Sequence, residues 1–373
     1  MPTTPTLLVS ILSVSVTFDT TEPGSSFDFH GFISQGFIKS THNNYLARSE
    51  RGSFEFTEAA VNMRFQPSPT ISMGLQLFLR DLGPLGNYDA KFDWFYVDWS
   101  PDDRVSLRAG RVRMPFGLYN DSSDYDPARV TVLLPQSLYP TTAREFLLSV
   151  TGGELYGVFD VGPGGLFEYR AYGGTLFLND DFIPAGSEVE VPYVAGGRFI
   201  WETPVTGLKI GGSVMTVRLD FDTMVETISL RIKLPVILWA ASAEFVFGDL
   251  KLAAEYGRWH TTIESSNEEL VPSDKATSER YYVASSYVVT DWAQLGLYYS
   301  GLFKDVNVRR GRDNYQHDVA ATLRFDFSSF WLVKLEGHLM YGTAVLDSEL
   351  NIAPPENLTP VWGLFLIKTT AYF

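Results

Sequence analysis

The feature that most constrains this chain is a two-residue period with charge on one face, apolar side chains on the other, and no long apolar run. From Trp331 to Tyr341 one face reads Trp331, Val333, Leu335, Gly337, Leu339 and Tyr341, and the other Leu332, Lys334, Glu336, His338 and Met340. Successive side chains on a strand point to opposite faces, so the segment is extended rather than helical. Val319–Phe327 repeats the pattern, with Arg324 and Asp326 on the polar face, and so do Ile71–Arg80, Phe167–Tyr172 and Arg198–Glu202. No run of about 18 apolar residues occurs, which excludes helical membrane spans. A β-strand crosses a membrane in about 9–11 alternating residues, so the pattern is compatible with a transmembrane barrel.

From Phe27 onward sixteen such segments alternate with short and long connections. The short ones are Gln66–Thr70, Ser100–Arg104, Gly162–Gly165, Thr203–Gly207, Phe247–Leu250, Thr290–Asp291 and Ser328–Phe330, and they carry turn chemistry such as PSP, PDD and GPGG. The long ones include Ser40–Gly52, Pro115–Arg144, Asn179–Pro192, Thr261–Ser278, Lys304–Tyr315 and Ala344–Val361. Strict alternation of short and long is the order of an antiparallel up-and-down barrel with tight turns at one rim and loops at the other. Residues 25–373 then form one barrel of about 16 strands, and 1–24 are a signal-peptide remnant or a disordered N-terminus. The apolar run in MPTTPTLLVSILSVSV has the length of a signal core but no basic residue before it.

A soluble β-sandwich would also alternate. Three features favour the membrane: aromatic residues near segment ends (Trp94, Trp99, Tyr193, Trp201, Trp239, Trp292, Trp331, Tyr341, Trp362), charges on one face of nearly every strand, and a strand-like final run ending at Phe373. Interfacial girdles require the first, and a dry core could not hold the second unpaired. A formal charge of −15 argues against nucleic acid, and the chain has no cysteine for disulfides or thiolate metal sites.

The stretch from Arg104 to Glu145 stands apart. It starts as a strand bearing Arg108, Arg111 and Arg113, breaks at Pro115, and continues for roughly 30 residues with Asp121, Asp124, Asp126, Arg129 and Arg144. Loops this long inside a domain are usually functional. Folded into the lumen, it would form the constriction of a pore, with these residues and Glu145 setting its field. A second reading is that the same charges pin the loop to the wall. Parity breaks near Gly110, where a bulge would turn Arg111 and Arg113 inward, and again around Val214–Thr216.

Taken at face value, the alternation points ten basic residues inward, Arg64, Arg80, Arg108, Arg170, Arg198, Arg218, Lys251, Arg324, Lys334 and Lys368. Ten acids join them, Glu58, Glu154, Asp160, Glu168, Glu202, Asp220, Glu244, Glu255, Asp326 and Glu336. Arg64, Arg80, Arg170, Arg198, Arg324, Lys334 and Glu336 are the expected pore-lining set. Pairs two apart, such as Lys334 and Glu336, would make a ladder of hydrated ion pairs. The sequence carries no HExxH, GxSxG or Walker pattern. A barrel lipase would need a serine beside His338, with Ser242 or Ser300 as its nucleophile. The expectation is therefore no enzyme, no cofactor and no metal.

Sixteen segments, the terminal Phe373 and the strand-then-loop stretch AGRVRMPFGLYND together resemble the Gram-negative outer-membrane porins. The run GRVRMPFG at Gly110–Gly117 looks like the glycine, basic residue, Pro-Phe-Gly pattern of the phosphate-selective porin family. The resemblance implies a homotrimer in outer-membrane lipid, passing small hydrophilic solutes or inorganic ions by passive diffusion; whether the charge at the constriction leans toward anions depends on the bulge at Gly110. The alternative is a non-conducting outer-membrane barrel serving as adhesin or envelope anchor.

Overall fold

A computed structural model of the protein describes residues 26–178, 187–225, 228–354 and 357–373. The segment 1–24 lies outside the described residues. Sixteen strands form one closed antiparallel barrel. They are β1 Ser26–Ser40, β2 Phe56–Ser68, β3 Ile71–Leu82, β4 Lys91–Asp102, β5 Val105–Arg113, β6 Ser149–Asp160, β7 Leu166–Thr175 and β8 Ser187–Glu202. The rest are β9 Leu208–Val225, β10 Ile228–Phe247, β11 Leu250–Ser265, β12 Asp274–Thr290, β13 Ala293–Phe303, β14 Tyr315–Ser328, β15 Trp331–Gly342 and β16 Val361–Tyr372. Each strand pairs with its sequence neighbours, and β1 closes on β16 from Phe32 opposite Tyr372 to Ser40 opposite Leu364. Closure leaves no strand edge to aggregate.

All seven short connections fall where the turn residues place them. Two long ones are shorter than expected. β8 begins at Ser187, inside the expected loop Asn179–Pro192, whose first eight residues lie outside the described set. β11 and β12 run to Ser265 and from Asp274, so Thr261–Ser278 is mostly strand. The strands β8 to β12 have 16–20 residues and exceed a membrane span.

Outward positions are apolar and capped by aromatics. Beside the tight turns Phe167 stacks on Trp201 at 5.5 Å and Phe327 on Trp331 at 4.9 Å. Toward the other rim Tyr299 stacks on His317 at 6.0 Å and Tyr315 packs on Tyr341 at 5.2 Å. Trp362 and Trp94 depart from the expected girdle. Trp362 is buried against Tyr45 inside the barrel, and Trp94 turns inward to donate to Gln76.

The expected register slips move. At Gly110 the ladder stays in step with both neighbours, Tyr96 on one side and Gly152 on the other. Its φ of +132° nevertheless suits glycine, and a Cβ would stand 2.4 Å from the Phe95 carbonyl oxygen. The irregularity lies one strand away, between β3 and β4 at Gln76 and Leu77, and leaves Asp93 as well as Trp94 facing in. No slip occurs at Val214, so Met215, Val217 and Leu219 point inward and Arg218 and Asp220 outward, the reverse of the expectation. On that outer face Arg218 pairs with Asp220 at 2.7 Å and Arg231 with Asp222 at 2.6 Å.

The apolar core sits inside the barrel. One cluster joins Met114, Phe116, Leu138 and Leu147 of the β5–β6 loop to Val194, Met215, Val217 and Leu238 of the wall. A second joins Val132 and Leu133 to Ile38, Phe56, Met340 and Leu364 across the lumen. The loop thus crosses from one wall to the other.

Candidate functional site

Residues 114–148 form that loop. Pro115 ends the strand because it has no N–H to give. The neck is closed by the Met114 N–H on the Leu148 carbonyl at 3.0 Å, and Asn120 donates to the Met114 and Leu147 carbonyls at 2.8 and 2.5 Å. Phe116 is anchored in the first apolar cluster. Gly117, at φ +58°, passes so close to the wall that a Cβ would stand 2.7 Å from Glu255 Oε1. Beyond it the Leu118 N–H donates to Glu255 at 3.0 Å, a carboxylate that also accepts from Tyr282 at 2.6 Å and from Tyr139 and Ser242.

Two aspartates then tie the loop to opposite walls. Asp121 binds Arg170 at 2.7 Å and Arg198 at 3.1 Å. Those two arginines are direct cross-strand neighbours on β7 and β8. From them a ladder of charge continues through Glu154, Arg108 and Asp98, at 2.5, 3.1 and 2.8 Å. Asp126 sits between Lys334 at 3.1 Å and Lys368 at 3.2 Å, direct neighbours on β15 and β16. The next cation in that row, Arg324, donates to the carbonyls of Pro127 and Arg129 at 2.6 and 3.0 Å. Glu336 accepts the N–H groups of Val132 and Leu133 at 2.7 and 2.9 Å.

Asp126 and both lysine side chains are wholly buried. The β14–β16 row is therefore sealed beneath the loop rather than forming a hydrated ladder. Buried charges persist only when paired and hydrogen-bonded, which is what the loop carbonyls and Asp126 supply. Burial raises the carboxyls of Asp121, Asp124 and Asp126, but adjacent guanidinium and ammonium groups outweigh it and hold all three below the ordinary aspartate range.

A third attachment is made by Arg144, at the start of the short helix Arg144–Leu147. It pairs with Asp124 at 2.8 Å and with Asp93, and lies 4.2 Å over the Phe78 ring. Two clefts meet at this point. One is lined by Glu58, Arg80, Asn120, Asp124, Arg129 and Arg144, with Phe56, Leu82, Leu133 and Leu147 among its apolar walls. The other is lined by Arg80, Asp89, Lys91, Asp93, Arg144 and Glu145.

The structure therefore gathers Asp124, Arg129, Arg144 and Glu145 from the expected constriction set at these clefts, together with Arg80 of the pore-lining set. The others lie elsewhere. Arg108 belongs to the ladder, Arg111 donates to Ser149 at 2.8 Å and the Asp93 carbonyl at 3.0 Å, and Arg113 to Gln76 at 3.1 Å and Asp124 at 3.2 Å. Asp121 and Asp126, both in the first half of the loop, hold it to the β7–β8 and β15–β16 walls, while Arg64 is exposed on β2 opposite Asp28. Asn120 and Asp93 escaped sequence reading: nothing marks Asn120 in the sequence, and the β3–β4 irregularity hides the inward turn of Asp93. His338 contacts Asp318 and Glu336, both at 3.0 Å, and among the described residues its hydrogen-bond partners include no serine.

No known family description and no curated protein matches the chain in sequence. Solved structures match its fold. The anion-selective porin from Comamonas acidovorans aligns with a TM-score of 0.58 at 12% identity, over 94% of this chain and all of that one. The outer-membrane channel DcaP of Acinetobacter baumannii gives 0.60 at 9% identity, over 95% and 99%. OmpT of Vibrio cholerae, an outer-membrane protein in its trimer form, gives 0.56 at 12% identity, over 94% and 100%. At these identities the likeness is one of fold: a closed barrel of the outer-membrane type.

Proposed function

We propose that this protein is an outer-membrane porin, a passive channel for small hydrophilic solutes and ions that leans toward anions and works as a homotrimer. The observation that carries the reading is the β5–β6 loop, folded across the lumen of a closed barrel and leaving two clefts, of mixed apolar and charged lining, that share Arg80 and Arg144. Charge at a narrowing decides which ions pass easily. The barrel carries its work in this passage and performs no chemistry on what passes.

The fold supports an outer-membrane location, since apolar outward faces between aromatic girdles suit lipid. The anion-selective porin and the trimeric OmpT among the similar structures support, by analogy of fold alone, the lean toward anions and the trimer.

One observation favours a second reading, a non-conducting adhesin or anchor: the loop is bonded to β7, β8 and β11 on one side and to β14, β15 and β16 on the other. Planar-bilayer recording on detergent-purified protein under a salt gradient separates the two. Stepwise openings support the channel, and the sign of the reversal potential gives its selectivity. Silence from folded protein overturns the channel and leaves the anchor.

A further inference from the structure

Arg80 is the one charged group at the meeting of the two clefts whose protein partner has been taken away. On the ladder it stands directly opposite Glu58 of β2. The Glu58 carboxylate turns instead to Lys368, at 2.6 Å, on the far side of β1. Of the other acids around it, Asp93 of β4 and Asp124 of the loop are engaged by Arg144, Asp124 also by Arg113, and Glu145, which lines the second cleft, lies 3.8 Å from Arg144. Among the described residues Arg80 makes no side-chain hydrogen bond and no ion pair within 4 Å; the residue is 6% exposed, and none of its nitrogens is among the side-chain atoms buried without a partner, so what exposure it has is toward the clefts. It lines both clefts. Beside it in the first cleft, Arg129 reaches the Ser123 carbonyl and, at 3.5 Å, Asp126, while its Nε is buried without a partner.

A buried charge without a counter-charge is costly, and a guanidinium presents its donors as a planar fork that matches two oxygens at once. We propose that Arg80 is the centre of a binding site for one small singly charged oxyanion of the carboxylate type, in the cleft that Arg129 also lines. The charged residues lining the first cleft are Arg80, Arg129, Arg144, Glu58 and Asp124, and the last four are each ion-paired, Arg129 with Asp126, Arg144 with Asp93, Glu58 with Lys368 and Asp124 with Arg113, which leaves Arg80 as the cation open to a ligand. A monoanion neutralises it, whereas a dianion would carry an excess negative charge toward Glu58 and Asp124. Arg144 is already saturated by two carboxylates and serves to hold the cleft's shape.

This goes beyond the channel reading by naming a solute class, and it does not require that the barrel conducts. The test is calorimetric titration of the full-length, detergent-purified protein with sodium acetate and, separately, sodium sulfate in low-salt buffer. Saturable one-to-one binding of acetate, at least tenfold tighter than sulfate, is expected. Arg80→Gln should weaken acetate at least tenfold and Arg80→Lys only a few-fold. Glu58→Gln, which removes a negative charge from the cleft, should tighten it several-fold and remains informative if Arg80→Gln does not fold. Non-saturable acetate binding, tighter sulfate, unchanged binding in folded Arg80→Gln, or no tightening in Glu58→Gln would each overturn the site. Bilayer recording on the same preparation keeps the two readings apart. Conductance without saturable acetate binding sinks the site alone, and saturable binding without conductance sinks the channel alone.

Discussion

Lys334 and Lys368 stand directly opposite each other on β15 and β16, and the carboxylate of Asp126 lies between them, 3.1 and 3.2 Å from the two ammonium nitrogens. Like charges placed opposite one another on a sheet repel. Arg170 and Arg198 repeat the relationship on β7 and β8, with Asp121 between them. The wall supplies one acid each to three of these cations, Glu154 to Arg170, Glu168 to Arg198 and Glu58 to Lys368. Among the described residues the buried Lys334 has only Asp126 as its ion-pair partner, so a seating that moves Asp126 away leaves that lysine unpaired.

Asp126→Asn should therefore unseat the loop from the β15–β16 wall. Removing one partner of a buried pair costs about 3–5 kcal/mol, since the other charges stay buried. Protease in detergent should then cut within 114–148 at least tenfold faster than in the parent. Adding Lys334→Met, which removes the repulsion, should recover most of the protection. Parent-like resistance in Asp126→Asn would mean that the apolar contacts of Val132 and Leu133 hold the loop there by themselves.

The barrel itself was legible because its alternation is dictated by the solvent on each side. Lys334, Glu336 and His338 all face in, and Val319, Leu339 and Tyr341 out, as the two-residue period requires. Parity failed where backbone geometry changed the count. Asp93 and Trp94 both turn inward at one irregular pairing, and Arg218 and Asp220 lie on the outer face because the expected slip at Val214 does not occur. The site was less legible. Asp126 and Lys368 are more than two hundred positions apart, and nothing in a single sequence says which wall a loop carboxylate will reach. Nor could the pattern tell that Glu58 would leave Arg80 for Lys368.

Arg111 offers a sharp contrast with the clefts. Its guanidinium is used on Ser149 and the Asp93 carbonyl, and it lines neither cleft. Arg111→Gln should leave the reversal potential under a salt gradient unchanged while lowering stability by about 1 kcal/mol, the worth of a typical hydrogen bond. A shift toward cations would place Arg111 on the ion path.

The seating of the loop should be insensitive to pH across the neutral and mildly acidic range. Asp121, Asp124 and Asp126 have depressed values in the folded protein, set against an unperturbed aspartate near 3.9. A group with a depressed folded value contributes its full stabilisation above the unfolded value and loses it as pH falls through the folded one. The part of the protease resistance of 114–148 that these three carboxylates supply should thus be flat from about pH 7 to 5 and fall only well below the ordinary aspartate range. Loss of resistance near pH 6 would point to a different titrating group.

Deleting Ser122–Thr141 gives the most direct reading of what the loop does. The segment contains Asp124, Asp126, Val132 and Leu133, so its loss removes the β14–β16 attachment, the Asp124 bridge and the apolar seal in one step. Closing the shorter loop costs little, because closure entropy varies only with the logarithm of length. The exposed Lys334, Lys368 and Arg324 would then be hydrated rather than buried, and they would add a row of cations to the open lumen. Single-channel conductance should rise several-fold and selectivity should move toward anions. Conductance equal to that of the parent would mean that ions travel outside the space the loop occupies, and a silent deletion mutant with an intact barrel would place the block elsewhere in the lumen.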